Sequence, residues 1–160
     1  FIKDGAIHAA SNKGSWGYGI HGSKAIAGNT FFSDLSYEAT VQLDAKGDAG
    51  LIFRVTDHVI GSEAYNGYYL GINADSGQIQ LGKSSNQKWI VLATEQQKLE
   101  TGKAYKVRIL AKGAEIKVYF NNAVKPIFSV TDNEFKSGSI GVRAYDALAS
   151  IDNLEAKAIK

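Results

Sequence analysis

Three kinds of side chain in this sequence could together hold a small polar ligand: an arginine, several carboxylates and several aromatic rings. Arg54 lies in Asp48-Ala-Gly-Leu-Ile-Phe-Arg-Val-Thr, and a second run, Asn66-Gly-Tyr-Tyr-Leu-Gly-Ile, follows after a polar loop. Read with the two-residue period of a strand, Leu51, Phe53 and Val55 share one face and Ile52 and Arg54 the other. On the second run Tyr68, Leu70 and Ile72 point inward, and Tyr69 and Gly71 outward. If the runs pair, Arg54 and Tyr69 share a face. The loop between them carries Asp57, His58, Glu63 and Tyr65 to the same edge. A guanidinium offers a planar fork of donors, and carboxylates accept from hydroxyl groups. Aromatic faces cover the C–H side of a sugar ring. The set suits a neutral polyhydroxy ligand.

A second group lies in Ile140-Gly-Val-Arg-Ala-Tyr-Asp146. There Ile140, Val142 and Ala144 face inward, leaving Arg143 and Tyr145 outward beside Asp146. Arg143, Asp146 and Arg54 could converge on one patch. Trp16 and Trp89 complete the aromatic candidates, although most aromatic rings in such a protein belong to its core. Arg54 also has an ordinary reading, as an exposed strand arginine paired with a carboxylate. Asp152-Asn153 offers hard oxygen ligands of the kind that would suit a structural Ca²⁺; the ordinary role for the pair is a turn or a strand ladder.

The elements that position these groups are strands. Leu35, Tyr37, Ala39, Val41 and Leu43 alternate with Ser36, Glu38, Thr40 and Gln42, as in an antiparallel strand with one wet face. Tyr105, Val107 and Ile109 alternate with Lys106 and Arg108, and Ile116, Val118 and Phe120 with Lys117 and Tyr119. Lys112-Gly-Ala114 makes these two runs a hairpin. Further strands are predicted from Gln78, from Lys88 to Thr94, from Pro126 to Val130, and from Ala149 to Ala156. Turn clusters such as Asn73-Ala-Asp-Ser-Gly77 and Lys136-Ser-Gly138 separate them. Ten or more short strands and no amphipathic helix predict an all-β antiparallel sandwich of concanavalin or lectin-like, jelly-roll type. The 160 residues are read as one domain, 1–160, expected to be monomeric.

Several function classes are excluded or disfavoured. With a net charge of +2 and 18 basic residues spread along the chain, no nucleic-acid-binding stripe forms. No apolar run is long enough to cross a bilayer as a helix. The absence of cysteine rules out disulfides, thiolate metal sites and thiol nucleophiles. The three histidines, His8, His21 and His58, lack metal-ligand spacing. Gly17-Tyr-Gly-Ile-His-Gly22 matches the dinucleotide fingerprint literally, but no helix follows and it is a decoy. Paired carboxylates on alternating strand positions, as glycoside hydrolysis needs, are missing. The chain opens on Phe1 and has no methionine or signal peptide. It therefore reads as an excised module whose targeting information stayed on a longer parent chain.

The blocks Ser33-Asp-Leu-Ser-Tyr-Glu-Ala-Thr-Val, Ala49-Gly-Leu-Ile-Phe-Arg54, Gly67-Tyr-Tyr-Leu, Thr101-Gly-Lys-Ala-Tyr, Ile116-Lys-Val-Tyr-Phe and Gly138-Ser-Ile-Gly-Val-Arg-Ala-Tyr-Asp, in this order, resemble carbohydrate-binding module family 66. The resemblance runs from about Phe32 to Ala156. It implies a β-sandwich appended to a fructan-degrading glycoside hydrolase, with the catalytic domain as its partner in the chain. It further implies binding of the terminal, non-reducing fructose of levan, no catalysis by the module, and no required cofactor. It makes Arg54 the leading carried-over ligand position, while Glu63, Trp89 and Asp146 rest on the local reasoning above. The alternatives are a small sandwich enzyme acting on a polysaccharide and a laminin-G-like protein-interaction domain.

Overall fold

The computed structural model describes residues 2–3, 5–10, 22–61 and 63–160. Trp16, His21 and nearly all of the dinucleotide-like motif lie outside the described residues. Thirteen strands are described: β1 (Ile2–Lys3), β2 (Ala6–Ala10), β3 (Gly22–Ile26), β4 (Leu35–Leu43), β5 (Asp48–Thr56), β6 (Asn66–Asn73), β7 (Gln78–Ser85), β8 (Lys88–Gln96), β9 (Ala104–Lys112), β10 (Glu115–Phe120), β11 (Phe128–Thr131), β12 (Ser139–Tyr145) and β13 (Leu148–Ala158). They form two antiparallel sheets, ordered β1-β2-β13-β4-β9-β10-β11 and β3-β12-β5-β6-β7-β8.

The predicted alternation builds the first sheet. Every odd residue of β4, Leu35 to Leu43, is buried and every even one is half-buried, because its second face is turned away from the other sheet. Leu51, Phe53, Tyr68, Leu70 and Ile72 meet β4 and β9 across the sandwich. Tyr37 crosses this core to donate its hydroxyl to the Gly141 carbonyl on β12, at 2.9 Å. Burial of its ring raises the phenol pKa above its ordinary value. A phenol is thus kept neutral as a donor inside the core, where an unmet carbonyl would be costly.

The second sheet departs from simple alternation. Seven consecutive residues of β5 and six of β6 are buried, so this sheet is covered on its outer face as well. A separate apolar patch, Ile52, Val55, Tyr65 and Tyr69, with Trp89 and Ile26 packed against it, provides the cover. Val55 belongs there because β5 carries a bulge. From Ile52 to Val55 is three steps, whereas their partners Gly141 and Ser139 on β12 are two apart. Pairing with β6 shifts between Phe53 and Thr56 in the same way. Arg54 is the extra residue, in the left-handed region at φ 50°. Gly67 and Gly138 make room for it: a Cβ on either would come within 3.0 and 2.5 Å of the bulged backbone.

The bulge corrects the expected phase of Arg54. Its side chain is 1% exposed and turns to the end of the sandwich. There Nε donates to the Ser33 carbonyl at 2.8 Å, and Nη1 to those of Gly113 and Phe135 at 2.9 and 3.2 Å. Nη2 reaches Asp34 at 3.4 Å. Arg54 ties three segments of chain together; it is not an outward ligand group.

Candidate functional site

The outer face of the second sheet is organised by the other arginine. Arg143 on β12 faces outward as predicted and is paired across the ladder with Lys24 on β3 and Gly50 on β5. Gly50 in turn faces Gly71, so no side chain rises beside the guanidinium on the next two strands. Arg143 Nη1 donates to Asp48 at 3.2 Å, and Nη2 donates to Glu63. The guanidinium carbon lies 4.5 Å from the Tyr69 ring centre, 5.4 Å from that of Tyr145 and 5.9 Å from that of Trp89. Tyr69 and Trp89 meet edge to face at 5.9 Å. Both rings replace missing side chains: a Cβ on Gly71 would come within 2.5 Å of Tyr69, and one on Gly82 within 2.4 Å of Trp89.

Local chemistry fixes the partners. The Tyr69 hydroxyl donates to Asp48 Oδ1 at 2.5 Å, the same oxygen that Arg143 uses, which leaves Oδ2 as an acceptor. Glu63 is held by its backbone, whose carbonyl accepts from Ser84 Oγ at 2.6 Å and from the Tyr65 amide at 2.9 Å. Lys24 anchors the same loop, donating to the carbonyls of Val59, at 2.6 Å, and Gly61. Three buried polar atoms around this guanidinium have no hydrogen-bond partner among the described residues: Arg143 Nε, Glu63 Oε2 and Tyr65 Oη. Buried polar groups are nearly always satisfied, so these three leave hydrogen-bonding capacity unused on this face.

The electrostatics are balanced. Burial alone would lower the Arg143 pKa, but Tyr69, Asp48 and Glu63 together raise it, and the guanidinium stays charged. Burial raises the Asp48 carboxyl above its usual range, with Arg143 and the Tyr69 hydroxyl opposing. Tyr69 is pushed far up, first by burial and then by Asp48. Burial lowers Lys24, against the pull of Glu63. Two cations face two carboxylates, and the patch carries little net charge for a ligand to neutralise.

Of the residues predicted from sequence, Arg143, Glu63, Tyr65, Tyr69, Trp89 and Tyr145 come together here. Asp146, at φ 47°, lines an open cleft beside them with Lys46, Asp48, Asn73, Asp75 and Tyr145. Asp57 does not join them. It lies in a separate hollow with Asn66, Asn86 and Gln87, where its carboxylate accepts from Thr56 and Asn66 at 3.2 and 3.1 Å. Arg54 is excluded, as described. Asp152 lies on the opposite sheet, where it faces Thr40 and bonds the Asn153 amide at 2.6 Å. Among the described residues no group of three His, Cys, Asp or Glu could hold a metal ion. Lys24 and Asp48 were missed. Asp48 begins a strand and reads as part of a turn, but its odd–even phase with Gly50 and Ile52 could have flagged it.

Fold and site together define an all-β, lectin-like sandwich with an arginine-centred polar and aromatic patch on one sheet. The chain belongs to the 3-keto-alpha-glucoside-1,2-lyase-like domain family, whose model matches residues 1–157. It is similar to a levanase of Bacillus sp. (strain L7), at 25% identity over 126 residues, which cover 78% of this chain and 13% of that protein. The solved carbohydrate-binding module CBM66 from Bacillus subtilis superposes with a TM-score of 0.78, at 20% identity and 96% coverage of both chains. Sheep galectin-11 shares the sandwich with a TM-score of 0.57 and 12% identity, over 84% of this chain and 96% of its own.

Proposed function

We propose that this chain is a non-catalytic carbohydrate-binding module. It takes the terminal, non-reducing fructose of a fructan such as levan at the Arg143 site and holds an appended glycoside hydrolase on its polysaccharide. The observation that carries the reading is the Arg143 clamp: a buried guanidinium fixed by two carboxylates and faced by three aromatic rings, with unpaired polar atoms around it. Rings and charge-assisted donors in a nearly neutral setting suit hydroxyl groups rather than an ionic ligand. The levanase relative is far longer than the matched segment, as a module within a larger enzyme would require. The module works outside the cell as a monomer and needs no cofactor. Any Ca²⁺ at Asp152 would be structural, since that residue is on the far sheet.

A pull-down on insoluble levan, with the supernatant assayed for released sugar, tests this directly. Retention without release is the expected result. Failure to bind any glycan would overturn it and favour a protein-interaction domain. The family description supports one rival, cleavage of a 3-keto-glucoside, for which Asp48, with its carboxyl raised by burial, is the base at hand. Release of product from such a substrate, abolished by Asp48→Asn, would establish the rival.

A further inference from the structure

We infer that the outer face of β7 carries a second sugar subsite, built of amides, contiguous with the Arg143 site. The inference rests on the proposed sugar-binding role. Gln78 and Gln80 stand on that face, paired across the ladder with Asn73 and Gly71 of β6. They line a small hollow with Asn73 and Ser76, closed on the Arg143 side by Asp48 and Tyr69. Both glutamines are half-buried, and neither amide is hydrogen-bonded to another described residue. Asn73 Oδ1 is committed to its own turn, accepting from the amides of Asp75 and Ser76 at 3.0 Å each, so its NH₂ group remains a donor.

Each amide offers two donors and an acceptor oxygen without charge, the pattern that vicinal hydroxyls complement. Trp89 lies over Gly82, two residues from Gln80 on the same strand and edge to face with Tyr69, which adds a ring at the margin of the amides. Asp48 and Asn73 line both this hollow and the open cleft beside Tyr145 and Asp146. A sugar at Arg143 and its neighbour in the chain would therefore share Asp48. Gly50 and Gly71 lie between Arg143 and Gln80 in one ladder row, and the Tyr69 ring, lying over Gly71, forms the wall that the two places share.

Calorimetry with fructose and with β-2,6-linked fructose disaccharide and trisaccharide tests the assignment, using the wild-type chain and Gln78→Ala/Gln80→Ala. The wild type should bind the disaccharide about tenfold more tightly than fructose, the worth of one or two neutral hydrogen bonds. The trisaccharide should add nothing further. The double variant should lose the disaccharide advantage and keep wild-type affinity for fructose, with an unchanged melting temperature. Equal wild-type affinity for fructose and disaccharide, or a variant that keeps the advantage, would overturn the subsite while leaving the Arg143 reading intact. If neither sugar binds, the sugar-binding role itself falls, and the subsite with it.

Discussion

Replacing Arg54 by alanine should unfold this protein more easily without touching ligand recognition in the folded fraction. The side chain is 1% exposed and makes four hydrogen bonds of 2.8 to 3.4 Å, three of them to backbone carbonyls. Its removal strands those carbonyls and Asp34 at the end of the sandwich, and leaves a cavity. Breaking a buried charged network of this kind costs roughly 3–5 kcal/mol. In a chain of this size each kcal/mol lowers the melting temperature by about 2–4 °C, so a fall of about 6–20 °C is expected. Arg54→Lys should recover only part of the loss, because an ammonium cannot reproduce the planar fork. The assay is thermal unfolding followed by circular dichroism, paired with binding to levan well below the melting temperature. A variant that melts within 2 °C of the wild type and no longer binds would refute the reasoning and return Arg54 to the ligand site.

Arg143→Lys should weaken sugar binding more than tenfold by calorimetry, since at least one charge-assisted bond worth about 1.5–3 kcal/mol is lost; an unchanged affinity would place the ligand elsewhere. Asp132 governs acid stability. Burial raises its pKa, but bonds from Lys83 and the Tyr68 hydroxyl outweigh this and set it below the ordinary aspartate value of 3.8. Its contribution is therefore whole above that value and is lost as the pH falls through the depressed one. Asp132→Asn should lower the melting temperature at pH 7 and flatten its decline in acid; a parallel decline in the two proteins would contradict this. Chelation should leave levan binding unchanged, because Asp152 and the Arg143 patch are on opposite sheets; binding lost in chelator and restored by Ca²⁺ would show a metal in the site.

How much the sequence revealed depended on whether a strand kept its period. In β4 and β12 strict alternation held, so the outward placing of Arg143 and Tyr145 was legible. In β5 one extra residue reversed the phase, turning Val55 to the outer patch and Arg54 to the end of the sandwich. A non-glycine bulge has no strong local signature, since what admits it is two glycines on neighbouring strands, Gly67 and Gly138. Lys24 was hidden for another reason. Its short strand has little periodicity, and its position opposite Arg143 comes from pairing across more than a hundred residues. Asp57 and Glu63 were predicted together from one loop. Lys24 holds the Val59–Gly61 carbonyls of that loop against the sheet, and the two carboxylates fall on different sides of it.

The position of β12 between β3 and β5 also has a consequence in time. Among the described strands only β13 follows it in sequence, yet it enters the middle of a sheet whose other members come from the first hundred residues. Until it arrives, β5 lacks a partner on one edge, and Tyr69 and Trp89 have no guanidinium to pack on. Pairings so distant in sequence close slowly, because the chain loses loop entropy before the contacts repay it. The sugar site therefore matures late, and a nascent chain that has not yet delivered Arg143 should have no grip on its ligand.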